Sequence, residues 1–268
     1  RIESRLYDSA CDVALIPSLA IHMDRSVNEK FSPNRQTDLM PLFSAGALTR
    51  GALDEYVASE LGVSADQVIS RDMFLVNRQK PQLWGAAEEF LSAPDLECAF
   101  SSLKAFINAG NPESVSVCAV FDNEEVGSNT KQGAMSTVLR DTLERMNAAL
   151  GFSWEDYRCA VAKSMLVSCD NAHALHPNRP EVADAENRPV LGGGMVVKEA
   201  ANQKYCTDAF SRAAFLSVCE AAGVPVQTFA NRSDMAGGST LGNLSNTQVS
   251  MHGVDVGLPQ LAMHSGYE

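Results

Sequence analysis

From Phe100 onward, apolar runs with the alternation of strands take turns with amphipathic runs of helical period. Each such element must bury its apolar side against another, and this order of elements builds a layered α/β fold. The pattern predicts a helix over 96–109 and a strand over 115–121. A second helix covers 132–150, with Val138, Leu139, Leu143, Met146 and Leu150 in helical register. Strands are expected at 165–169, 194–198 and 224–230, with a helix over 208–222 before the last of them. A final apolar segment runs through 254–263. Residues 10–92 are different in kind. They hold one short apolar strand at 13–21, a polar loop over 24–38 and a Pro/Gln segment over 77–84, which marks an inserted or accessory subdomain. The main domain is then 93–268.

The 268 residues suffice for one large domain or two smaller ones. A net charge of −12 argues against a nucleic-acid surface or an anionic membrane as partner. Seven cysteines stand without a C-x-x-C pair, several in apolar surroundings (Cys118, Cys159, Cys169), which predicts a reduced, cytoplasmic chain rather than a disulfide scaffold. No run has the length and apolarity of a membrane span, and no signal peptide is seen. The chain opens on Arg1-Ile2-Glu3 without an initiator Met, so the expectation is that its N-terminal part is missing.

The adjacent carboxylates Glu124–Glu125, in Phe121-Asp122-Asn123-Glu124-Glu125-Val126-Gly127-Ser128, follow the apolar run 115–121. In isolation such a pair reads as an acidic surface turn. At the end of a buried strand it needs a compensating positive charge, and a divalent metal supplies one in little space. One Glu can then bind metal while its neighbour moves a proton. The run 165–169 ends in Asp170-Asn171-Ala172-His173-Ala174-Leu175-His176-Pro177-Asn178, and the last apolar run ends in His264. Taken singly, Asp170 reads equally as a turn cap, and His173, His176 and His264 as satisfied loop or core histidines. Ligands of open α/β sheets bind beyond the carboxyl ends of strands. Three runs therefore deliver Glu, Asp and His to one edge, using three of only five histidines. Mixed His and carboxylate donors suit zinc, with cobalt or manganese as substitutes.

To these stretches add Asn231-Arg232-Ser233-Asp234-Met235, the glycine-rich Gly237-Gly238-Ser239-Thr240-Leu241-Gly242, Met263-His264-Ser265, and Ile16-Pro17-Ser18-Leu19-Ala20-Ile21 followed by His22-Met23-Asp24-Arg25. Together they resemble the aspartyl aminopeptidase family of co-catalytic zinc peptidases, over most of 13–265. The resemblance implies a zinc-exopeptidase-like mixed sheet with helices on both faces, plus an accessory oligomerisation subdomain. It implies a hydrolase that removes N-terminal residues, acidic ones by preference, from peptides. It also implies two zinc ions and a large symmetric homo-oligomer. By the same resemblance Glu124 is the general base, and Glu125, Asp170 and His264 are zinc ligands. His173 and Lys198 bind substrate, Lys198 offering a cation to an acidic side chain, with Arg232 a weaker candidate for that role. His22 is the histidine that the accessory domain presents to a neighbouring subunit's active site.

Two features of the family have no clear counterpart. Its earlier His ligand lies upstream of anything present here. Its bridging Asp belongs to an Arg-x-Asp-Asn/Asp-Leu motif, where this chain has Ala93-Pro94-Asp95-Leu96-Glu97. Asp95 is the nearest candidate for that metal ligand. Residues missing from this sequence account for both gaps, as does a truncated, inactive chain; the first is the expectation. Two other readings stand beside an aminopeptidase: a non-catalytic assembly or binding protein with a broken metal site, and a related zinc carboxypeptidase or deacylase.

Overall fold

The computed structural model describes residues 1–88, 90–92, 96–110 and 113–265. The chain divides into two compact units, Arg1–Arg78 and Gln79–Glu268. Among the described residues no helix is long and apolar enough to cross a membrane.

The first unit is built around one helix, α1 (Ala52–Glu60), whose Val57 and Ala58 are buried. Phe43 meets Tyr56 edge-on, with ring centres 5.7 Å apart. The Ser64–Gln67 capping box closes the turn after α1. The strand expected at 13–21 is reduced to a single bridge between Leu15 and Leu42. Pro17 has no amide hydrogen to give a ladder, and Leu15 and Leu19 remain exposed, so the run has neither pairing nor burial to extend it.

The second unit opens with a hairpin, β1 (Gln82–Trp84) against β2 (Phe90–Ser92), in which Trp84 stacks on Phe90 at 4.5 Å. The helices α2 (Glu97–Asn108), α3 (Val138–Ala149) and α4 (Trp154–Ala162) follow, then β3 (Met165–Cys169) and β4 (Ala172–His173). Beyond them come β5 (Met195–Glu199), α5 (Ala209–Ala222), β6 (Val226–Ala230), α6 (Leu241–Ser245), β7 (His252–Gly257) and β8 (Pro259–Gln260). The main sheet has the order β3-β7-β5-β6. Strands β3 and β7 are parallel, as are β5 and β6, while β5 and β7 run antiparallel. The sheet is therefore mixed, as expected.

Side chains alternate across this sheet. On one face Val197, Val254 and Val256, all essentially inaccessible, pack with Cys169, Met195, Val226 and Phe215 of α5. On the other face Val196, Phe229, Ala172 and Tyr205 form a second cluster. The short α6 packs on β3 and β7. Helix α5 begins where Asp208 and Ser211 cap each other reciprocally and ends at Gly223, whose φ of 68° suits a residue without a Cβ.

Two expectations fail here. The run 115–121 forms no strand, and Val115, Val117 and Val120 are exposed. Its sequence has the alternation but, among the described residues, no neighbouring ladder. The helix expected from 132 begins at Val138, because a turn holds 133–136, with the Ser136 hydroxyl donating to the Gly133 carbonyl at 2.7 Å.

Candidate active site

The pairing of β3 with β7 does not stop at Cys169. The amide of Asp170 donates to the Val256 carbonyl at 3.0 Å, and that of Ala172 to the Leu258 carbonyl at 2.8 Å, so the ladder passes through Asp170-Asn171 into β4 and β8. Gly257 makes this possible: a Cβ there would stand 2.0 Å from the Asp170 carbonyl oxygen. Asp170 is thus held by backbone on both sides at the mouth of the sheet.

A cleft of about 510 Å³ opens at this point, lined by residues from seven separate runs. Glu124 and Glu125 enter on a single 3-10 turn, Glu124–Val126, flanked by Asn123 at φ 60° and Gly127 at φ 96°. The Asn123 side chain donates to the Thr130 hydroxyl at 3.0 Å, which steadies its left-handed backbone. Asp170 and His173 come from the β3–β4 junction, Lys198 from β5, Thr240 from the start of α6, and His264 from the turn after β8.

The polar groups of the cleft are partly paired among themselves. The Lys198 ammonium donates to Asp170 Oδ2 at 3.0 Å. Lys198 is only 3% exposed, and its Nζ also sits 5.5 Å from the centre of the Tyr205 ring. A buried ammonium needs such partners, because desolvation otherwise removes its charge. The Tyr205 hydroxyl accepts from the Asn231 side chain at 3.2 Å, and burial raises the Tyr205 phenol above its ordinary range. His264 Nε2 lies 3.6 Å from Glu125 Oε2, with both side chains more than half exposed. The His173 ring stands 6.1 Å from that of Phe229.

Below Asp170, Cys98 of α2 is buried and donates to Asn171 Oδ1 at 3.0 Å. The neighbouring Cys169 first, and burial after it, push the Cys98 thiol up, and the influence of Cys98 holds the Cys169 thiol down to about 7.

The structure therefore brings together Glu124, Glu125, Asp170, His173, Lys198 and His264. It does not bring in Arg232, whose guanidinium is engaged by Asp234 at 2.6–2.7 Å and by the Glu181 carbonyl at 2.6 Å. His176 lies outside the cleft, where its Nδ1 accepts from the Asn178 amide. Asp95 lies outside the described residues. His22 is exposed on a turn of the first unit. Tyr205, Phe229 and Thr240 line the cleft but were not expected as site residues; Tyr205 stands in a polar loop with no periodicity to mark it.

Imidazole and carboxylate converge at Glu125 and His264, with the Asp170 carboxylate on the same cleft. This donor set fits a divalent ion of the zinc type by its chemistry. Among the described residues, no three His, Cys, Asp or Glu side chains stand close enough together to hold an ion. The ion pair between Lys198 and Asp170 occupies one of the donors.

The family model described as aminopeptidase I zinc metalloprotease (M18) matches residues 1–268. A probable M18 family aminopeptidase 2 of Clostridium novyi is 41% identical over 98% of this chain and 62% of its own length. The protein so named from Clostridium acetobutylicum is 42% identical with the same coverage. This chain thus spans somewhat less than two thirds of the curated relatives it matches. Among solved structures, the Ape4–Nbr1 complex superposes with a TM-score of 0.83 at 32% identity, over 95% of this chain and 54% of that one. The S. cerevisiae mApe1 dodecamer gives 0.74 at 28% identity, over 94% and 57%.

Proposed function

Because this chain belongs to the aminopeptidase I (M18) family of zinc metalloproteases, we propose that its cleft serves hydrolytic removal of N-terminal residues, acidic ones by preference, from peptides. The observation that carries this reading is the convergence of Glu124, Glu125, Asp170, Lys198 and His264, from separate runs of the chain, on one cleft.

In this reading Glu125, Asp170 and His264 hold zinc, two ions being bound in the complete site. A bound zinc polarises the scissile carbonyl and lowers the pKa of water. Glu124 is less exposed than Glu125 and stands beside it on the same rigid turn, the position for a base that takes a proton from water and passes it to the leaving amine. His173 and Lys198 contact the substrate. Lys198 is the buried cation of the cleft, and a buried ammonium favours a carboxylate over an apolar side chain. Its present partner, Asp170, is itself a proposed ligand, so zinc and substrate binding rearrange the same ion pair. His22 completes a neighbouring subunit's site in a homo-oligomer.

The test is elemental analysis of the purified protein beside peptidase assays on Asp- and Leu-terminated peptides, free and N-blocked. The expected result is zinc in stoichiometric amount, activity lost to a chelator, and hydrolysis of free-amine peptides alone. Active protein carrying only traces of transition metal overturns the reading, and cleavage of N-blocked peptides replaces it with a deacylase.

A further inference from the structure

Asp255 carries a charge that the proposed hydrolysis does not use and that the fold does not call for. It stands in the middle of β7, is fully buried, and does not line the cleft. Side chains alternate along a strand, and Val254 and Val256 pack toward α5. Asp255 therefore faces the opposite side of the sheet, the side of Val196 and Tyr205. Its Oδ2 accepts from the Cys206 amide, while Oδ1 has no partner among the described residues. A buried carboxylate with an open oxygen costs stability, and such departures from a satisfied core collect around functional sites.

What Asp255 holds is the segment 205–207, between β5 and α5. Besides the bond from the Cys206 amide, the Thr207 hydroxyl accepts from the Asp255 amide at 2.9 Å, and Thr207 forms a parallel bridge with Gly253. The Cys206 side chain is seated against two glycines: a Cβ on Gly242 or on Gly253 would lie 2.6 Å from its sulfur. Tyr205 is the residue that this clamp delivers. It is buried, it lines the cleft, and its ring centre lies 5.5 Å from Lys198 Nζ. Asp255 and Lys198 are also Cα partners in the β5–β7 ladder, so the clamp and the ammonium share one pair of strands.

We propose that Asp255 is a positioning residue for the cleft. Through the Cys206 amide it fixes the segment 205–207, holds the Tyr205 ring against the Lys198 ammonium, and thereby sets the preference for an acidic N-terminal residue. Only the last of these steps rests on the aminopeptidase reading. An ammonium held by one carboxylate and one ring has a fixed direction; without the ring it follows Asp170 alone. A purely electrostatic role for Asp255 predicts the opposite sign. Removing a negative group opposite Lys198 in the ladder leaves the cleft more positive and raises its attraction for a carboxylate.

The experiment compares Asp255→Ala, which removes acceptor and charge, with Asp255→Asn, which removes the charge and keeps an acceptor. Amide hydrogen exchange of the full-length protein, followed by mass spectrometry, reads the clamp without any substrate. In Asp255→Ala, peptides covering 203–208 should exchange faster while those of α3 and α4 do not change, and Asp255→Asn should stay near wild type. On chromogenic aminoacyl amides, the ratio of kcat/KM for Asp- over Leu-terminated substrates should fall about 3–30-fold in Asp255→Ala, mainly through KM. Asp255→Asn should restore most of that ratio. In a Tyr205→Leu background, Asp255→Ala should lower the ratio no further. Unchanged exchange at 203–208, a ratio that stays or rises, an asparagine as damaging as alanine, or a full further fall beside Tyr205→Leu each overturns the proposal. Should Asp255→Ala not fold, Thr207→Val removes the other side-chain tie between the two segments and is read in the same two ways. A wild type without acid preference fails the aminopeptidase reading instead, and the exchange result alone then decides whether Asp255 holds the segment.

Discussion

Lys198→Met is the sharpest test of why the cleft should prefer an acidic residue. The lysine is 3% exposed, and its ammonium lies 3.0 Å from Asp170 Oδ2 and 5.5 Å from the Tyr205 ring centre. Methionine keeps most of the stem and removes the charge. Two effects follow, and they separate by substrate. The first is common to all substrates: Asp170 loses its counter-ion, which perturbs the site, although its side chain is 35% exposed and water offsets much of the loss. The second falls on acidic substrates alone, whose carboxylate loses a charge-assisted hydrogen bond contributing about 1.5–3 kcal/mol. At about 1.4 kcal/mol per decade, kcat/KM for Asp- and Glu-terminated substrates should fall roughly 10–150-fold further than for Leu- and Ala-terminated ones. Chromogenic amides of the four residues, assayed on wild type and variant, give this ratio directly. A thermal melt run alongside reports any loss of fold, which cancels from the ratio. An equal fall for both classes would refute the reasoning and leave Lys198 as the counter-ion of Asp170 alone.

Glu124→Gln keeps the size and turn position of the proposed base and removes its proton affinity, so turnover should fall by about 10²–10⁴-fold. Metal content measured on the same sample should be unchanged, and its loss would mean that the two glutamates have exchanged roles. Asp208 caps α5 through the Ser211 amide at 2.7 Å and faces His252 Nδ1 at 2.6 Å; the capping bond first, then the histidine, hold its carboxyl below the usual range. A carboxyl depressed in the folded state contributes stability above its unfolded pKa of about 3.9, and that contribution is lost as pH falls through the lower folded value. Melts across pH 7 to 3, values chosen to span about 3.9, should show Asp208→Ala less stable by about 0.5–2 kcal/mol near neutrality and converging on wild type in acid. A constant gap down to the lowest pH would count against the assignment. Gly257→Ala puts a methyl where backbone atoms of Asp170 stand 2.0 and 3.0 Å away, contacts that no side-chain rotation relieves. Its urea midpoint should drop by the equivalent of about 1–3 kcal/mol, and an unchanged midpoint would mean that the β3–β4 junction gives way freely.

The elements legible in the sequence are those whose ends carry local chemistry. The run 165–169 is strand β3 to the residue, and the helix expected over 208–222 is α5 with Asp208 as its cap and Gly223 as its stop. Capping and left-handed stops act within a few residues, so they can be read without the fold. Pairing cannot. That β7, late in the chain, lies between β3 and β5, antiparallel to one and parallel to the other, depends on contacts across more than fifty residues. The same dependence explains 115–121, which has the alternation of a strand but forms none.

The candidate site shows the complementary pattern. Glu124, Glu125, Asp170 and His264 each follow an apolar run in the sequence, yet several stand on or beside backbone that local rules disfavour. Asn123 before the glutamate pair has φ 60°, Ser128 after it φ 60°, and His264 itself φ 70°. Non-glycine residues in this region cost free energy and persist only where surroundings hold them, as the Asn123–Thr130 bond does on one side of the cleft. Strain of this kind is invisible to periodicity, which assumes that each residue takes its preferred backbone. It concentrates where several chain segments must aim side chains at one point. Tyr205 illustrates the same limit: no run carries it to Lys198, and only the folded loop brings its ring over the ammonium.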